Sequence, residues 1–117
     1  MSEKADIYLT DILEAARRIA DYVAGLTYED FRDDTRTQDA VIRNLEIIGE
    51  AAKKISPEFR ARHPAIPWRS MAAVRDRLIH DYFGVNLEII WQIAVADLPE
   101  VAAQIRALLN ADGQANA

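Results

Sequence analysis

The sequence contains no cysteine, which excludes a disulfide-stapled scaffold and any thiolate metal site. It has no apolar run approaching the ~18 residues of a membrane-spanning helix. Its opening, Met1-Ser2-Glu3-Lys4-Ala5-Asp6, carries acids where a secretion signal is basic and then apolar. A soluble, cytoplasmic protein is therefore expected. Basic side chains are in the minority, 14 against 19 acidic for a net charge of −5. That total argues at first against a nucleic-acid partner, because phosphate binding needs clustered Lys and Arg. Glycine and proline are scarce at four each, so few breaks interrupt the chain. No stretch alternates in the manner of a strand, and no segment repeats.

What is present is helical periodicity. Half of the 117 residues are hydrophobic, enough for one domain with a real core. Residues 1–110 are expected to form that domain and 111–117 a flexible tail. Tyr8, Ile12, Ala15, Ile19, Val23 and Leu26 recur at helical spacing, with Gly25 as the expected stop. Residues 27–36 read as a connector with one short turn. Thr37 is an acceptable N-cap for a second helix carrying Val41, Leu45, Ile48, Ala52 and Ile55. Ser56-Pro57 ends that helix and opens a short one to about Arg62, with proline in its first turn. Another helix starts at Trp68 and carries Met71, Val74 and Leu78, with Gly84 as its punctuation. Asn86 caps the last stretch, where Ile90, Ile93, Ala94, Val101, Ile105 and Leu108 form a stripe. Asp97-Leu98-Pro99-Glu100 reads there as a fresh N-cap that kinks or breaks the helix. The predicted architecture is all-α, an up-and-down bundle of about four to five main helices plus a short connecting helix. Spare apolar residues on the second and last helices leave surface for a homodimer.

The net charge conceals its distribution. Residues 53–80 hold seven basic and two acidic side chains, a local +5, while residues 1–52 and 81–117 stand at −6 and −4. Both histidines, His63 and His80, lie in the basic segment. A solvated helix face is the plain reading of this asymmetry; an anion-binding surface is the sharper one, and it permits RNA. Lys53, Lys54, Arg60, Arg62 and Arg69 are the candidate backbone contacts.

Residues 75–82, Arg-Asp-Arg-Leu-Ile-His-Asp-Tyr, place a permanent cation, an imidazole and a phenol within one short segment. On a straight helix Arg75 and Tyr82 share a face, whereas Arg75 and His80 lie about 140° apart. They converge on one substrate only if the helix ends near His80 or a second protomer supplies the missing group. Arg and His suffice for RNA cleavage in which the ribose 2′-OH attacks its own phosphate. The histidine moves protons, and the arginine fork holds phosphate oxygens. No metal or other cofactor is needed for that chemistry. Without further context, a cation at a helix C-terminus explains the same residues.

The pattern Arg75-x4-His80-x-Tyr82 resembles the Arg-x4-His-x-Tyr motif of HepT-like proteins, ribonuclease toxins of the HEPN superfamily. Thr37-Gln-Asp-Ala-Val-Ile-Arg-Asn-Leu-Glu-Ile-Ile-Gly-Glu-Ala-Ala52, His63-Pro-x-Ile-Pro-Trp68, Asp81-Tyr-Phe-Gly-Val85, Leu87 to Trp91 and Asp97-Leu-Pro99 also look like this family. These blocks stand in the family's order to about residue 109. The resemblance implies an all-α homodimer, with Arg75 and His80 from both protomers lining an interface cleft that cleaves RNA, transfer RNA included. It implies a minimal nucleotidyltransferase antitoxin, MntA, that silences the toxin by transferring AMP to Tyr82. A dimer would gather four catalytic groups in one groove. The rival reading is a non-catalytic helical adaptor that binds a nucleotidyltransferase.

Other residues carry weaker signals. Glu46 and Glu50 share a helix face, but no Glu-x-x-His accompanies them, so ion pairing is preferred over a metal site. Arg43 and Asn44 are candidates for the cleft or for RNA. Asp76, Arg77 and Asp81 flank the catalytic pair as supporting residues. His63 is expected in a loop without a catalytic part. Trp68 and Trp91 are expected as core or interface anchors rather than base-stacking platforms.

Overall fold

The computed structural model describes residues 3–80 and 86–115, with side chains over 5–78 and 86–111. The described residues form α1 (Glu3–Val23), α2 (Tyr28–Arg32), α3 (Thr35–Lys54), α4 (Pro57–Arg62), α5 (Trp68–His80), α6 (Leu87–Gln92) and α7 (Leu98–Ala115), with one π turn, Ile93–Asp97, joining α6 to α7. Among them there is no strand, and no helix is long and apolar enough to cross a membrane. The all-α bundle expected from the periodicity is what forms.

Local chemistry sets most of the boundaries. Gly25 takes φ +76, the left-handed region open to glycine, and ends α1 as expected. Ser56 Oγ accepts from the Phe59 amide and Pro57 opens α4. Asn86 Oδ1 accepts from the amides of Glu88 and Ile89 and starts α6. The connector after Gly25 contains α2, closed at its start by a reciprocal capping box between Thr27 and Asp30.

Three boundaries differ from the sequence reading. The N-cap of α3 is Asp34, not Thr37. The Asp34 carboxylate accepts from the Thr37 amide at 3.0 Å and the Thr37 hydroxyl at 2.6 Å. A carboxylate outcompetes a hydroxyl at a helix N-terminus because it also meets the dipole. The last stretch is distorted before Pro99, as expected, but by a π turn rather than by a fresh N-cap. The chain widens into the π turn, where the Leu98 amide donates to Ile93 O, five residues back. That widening accommodates a proline whose ring would otherwise clash with the carbonyl of the preceding turn and which has no N–H to donate there. The backbone then stays helical to Ala115, beyond the end near Leu109 read from the sequence.

The core is continuous. On α3, Val41, Leu45, Ile48 and Ala52 are buried, followed by Ile55 at its C-terminus. With Leu9, Ile12 and Ile19 of α1 and Ile90, Ala94, Leu98 and Ile105 of the last stretch they form one buried cluster. Each such aliphatic contributes roughly 1.5–3 kcal/mol of transfer free energy before ordering costs. Trp68 is buried, with Nε1 donating to His63 O at 2.9 Å. Trp91 packs its ring on Phe31 at 5.3 Å. Both tryptophans are anchors, as expected. α3 is the central helix, packed on α1 along one side and α5 along another.

Candidate active site

The pairing of α3 with α5 places Arg75. Gly49 of α3 lies where α5 crosses. A Cβ built there would collide with Arg75 Cβ and stand 2.9 Å from both Arg75 Cγ and Met71 O. The absence of a side chain at Gly49 thus lets α5 approach closely, with the stem of Arg75 lying over the glycine. The guanidinium emerges into a groove of about 420 Å³ lined by Tyr8, Asp11, Arg43, Glu46, Glu50 and Arg75, among others.

Two carboxylates hold the Arg75 head. Nη2 stands 3.2 Å from Glu50 Oε2, and Nη1 donates to Asp76 Oδ1 at 3.2 Å. The same Asp76 oxygen accepts from Lys53 Nζ at 2.8 Å. Lys53, and then Arg75, hold the Asp76 carboxyl below the ordinary carboxylate range. Glu50 also pairs with Lys54 at 3.7 Å, and Glu46 with Arg43 at 3.7 Å. Glu46 and Glu50 therefore belong to ion pairs, as preferred from the sequence. Arg75 is 29% exposed at its side chain, and Glu50 46%, so a phosphate oxygen can reach the guanidinium from the groove.

The other candidates fall in different places. Arg43 lines the groove and is exposed. Asn44 does not join it. Its side chain is buried, with Nδ2 donating to Ala40 O at 2.9 Å, because it sits on the core side of α3 beside Leu45 and Ile48. Arg77 points to solvent. The backbone of α5 is helical through His80, while Asp81, Tyr82 and Gly84 lie outside the described residues. Arg60 and Arg69 line a separate shallow cleft with Pro57, Pro64 and Trp68, and Arg62 lies over the Phe59 ring at 5.8 Å. His63 caps α4 and packs on Phe59, consistent with a loop role. The basic segment thus divides: Lys54 and Arg75 line the groove, Lys53 pairs with Asp76, Arg60, Arg62 and Arg69 lie apart from the groove, and Arg77 is exposed. Among the described residues no group of three or more His, Asp or Glu is placed to hold a metal ion.

Sequence reasoning misses Gly49, and it assigns Tyr8 to the apolar stripe although that residue also lines the groove. Phase arithmetic on α3 signals the position of Asn44. Nothing in the sequence alone reports that residues 49 and 75 touch.

The family model described as ribonuclease HepT-like matches residues 12–108. The chain belongs to the HepT-like family. Among similar proteins is a probable ribonuclease HepT of Thermococcus cleftensis, 48% identical over 86% of this chain and 92% of its own length. Two others are named as candidate RNases. One, from Methanocaldococcus jannaschii, is 44% identical over 87% of this chain and 84% of its own. The other, from Caldanaerobacter subterraneus, is 43% identical over 87% and 91%. No solved structure matches significantly. The HepT-like match spans α3 and α5 and hence both walls of the Gly49–Arg75 contact.

Proposed function

We propose that this HepT-like protein is a metal-independent endoribonuclease in which Arg75 and His80 act from a homodimer cleft. The carrying observation is Arg75 itself, a partly exposed guanidinium at a groove wall with Lys54 and Arg43 beside it. Arg75 holds the non-bridging oxygens of the scissile phosphate and stabilises the charge that builds there. His80 moves the proton, from the 2′-OH or onto the leaving 5′ oxygen. The 2′ oxygen bonds to phosphorus as the P–O5′ bond breaks, leaving a 2′,3′-cyclic phosphate and a 5′-OH. The backbone of α5 is helical through His80, and positions five apart on a helix lie about 140° apart around its axis. This supports a composite site, with Arg75 of one protomer opposite His80 of its partner.

In this reading the protein is the toxin of a toxin–antitoxin pair. A nucleotidyltransferase silences it by transferring AMP from ATP to the Tyr82 hydroxyl with release of pyrophosphate, and the added bulk and negative charge exclude RNA phosphate. Transfer RNA is one substrate class that fits.

The test uses purified protein free of AMP. Cleavage of an RNA pool is expected from wild type and not from Arg75→Ala or His80→Ala. Mixing these two inactive variants would restore activity through one intact composite site per heterodimer. Equal cleavage by wild type and His80→Ala would overturn the assignment. Silencing by the nucleotidyltransferase that survives Tyr82→Phe would overturn the modification.

A further inference from the structure

The contact beneath Arg75 is unusual for a groove residue. An arginine on a helix face ordinarily has several rotamers and loses rotamer entropy on being fixed. Here its first two side-chain carbons lie against Gly49, where any larger residue would occupy their space. Its two terminal nitrogens face Glu50 on one side and Asp76 on the other. Residues 49 and 50 are consecutive on α3, so one helical step supplies both the surface under the stem and a carboxylate for the head.

We infer that Gly49 and Glu50 are positioning residues that together seat Arg75 for phosphate contact. The inference rests on the reading of Arg75 as the phosphate-binding group. Gly49 sets the separation of α3 and α5, and so the depth at which the guanidinium enters the groove. Glu50 sets its rotation, leaving the outward N–H groups directed at the groove. Neither touches the reacting atoms; both act through Arg75.

The seat has a kinetic signature distinct from general stability. Glu50 is an anion beside the phosphate position, so Glu50→Ala removes a competitor for Arg75 while freeing the guanidinium to rotate. Substrate binding then stays constant or tightens, while kcat falls. The Glu50–Arg75 pair is exposed enough that its loss hardly moves Tm. Gly49→Ala favours helix formation in α3, but its Cβ meets Arg75 Cβ and the Met71 carbonyl, so it forces α3 and α5 apart and lowers Tm. The Glu50 variants leave that contact intact and so separate the seat from stability.

The experiment measures kcat, KM and Tm for wild type, Gly49→Ala, Glu50→Ala, Glu50→Gln and Arg75→Ala on one RNA oligonucleotide. The seat predicts at least a tenfold loss of kcat in Gly49→Ala and Glu50→Ala, with KM unchanged or lower in the latter. Glu50→Gln, which keeps an acceptor oxygen, recovers part of the loss. If Gly49→Ala does not fold, the Glu50 pair of variants decides alone. A folded Gly49→Ala or Glu50→Ala within twofold of wild-type kcat, while Arg75→Ala is inactive, overturns the seat. Full activity in Arg75→Ala overturns instead the reading of Arg75 as the phosphate-binding group.

Discussion

Two grooves run along α3 and α5, and they are built from opposite materials. One is lined by Arg43, Glu46, Glu50, Lys54 and Arg75. The other, about 310 Å³, is lined by Leu45, Ile48, Met71, Val74, Ile93 and Val101. By helical phase the α3 residues of the two grooves leave opposite sides of that helix. The apolar groove continues the core, and its residues act by excluded volume and buried area. The charged groove has paired cations and carboxylates whose net worth to stability is small, so its composition is better explained by what it binds. On the proposed reading, the same two helices separate stability from chemistry by face.

That separation can be broken by substitution, and the largest effect falls on the charged side. Arg75→Ala should lower RNA cleavage by about 10³-fold or more, the range for a cation at a phosphoryl transition state, with Tm nearly unchanged in thermal unfolding. Leu45→Ala should do the reverse. A buried leucine truncation costs about 2–5 kcal/mol, read as a lower denaturant midpoint, with kcat retained below the unfolding transition. If Leu45→Ala abolished cleavage while folded, the faces would not be independent.

Smaller effects sharpen the picture. Lys54→Ala should weaken RNA binding several-fold. The slope of log affinity against log salt should become shallower by about 0.7 for each single-strand phosphate that the protein no longer neutralises. An unchanged slope would remove Lys54 from the RNA path. The smallest expected effect is on acid stability. Asp76 titrates below its ordinary range when folded. Its contribution is therefore present at neutral pH and lost as pH falls through that lowered value, below about pH 4. Unfolding curves of wild type and Asp76→Asn should converge there; a gap persisting to pH 2 would point to packing instead.

The two grooves are unequally visible in the sequence. The apolar one follows from periodicity, since Leu45, Ile48, Met71 and Val101 recur at helical spacing and burial obeys that spacing. Ser56-Pro57 and Asn86 are legible because capping is a local interaction. Asp34 and Thr37 are both capping types three residues apart, and only geometry shows the carboxylate holding the hydroxyl. The π turn reads as a kink or break with a fresh cap because Asp-Leu-Pro-Glu has the local pattern of a helix start. Asn44 is legible by phase beside Leu45, yet its polarity suggests an outward side chain. Arg75 stands out as part of a motif, whereas Gly49 gains its meaning only from a residue 26 positions further along. Close approach is a tertiary property, and a glycine within a helix does not announce its neighbour.

The most direct test of the central claim is the chemistry of the cut ends. AMP-free protein is incubated with RNA in excess chelator, and the products are read by mass spectrometry. The account predicts 2′,3′-cyclic phosphate and 5′-OH ends, abolished by Arg75→Ala and by His80→Ala. Ends carrying a 5′-phosphate and a 3′-OH, formed only with added metal and surviving His80→Ala, would contradict it.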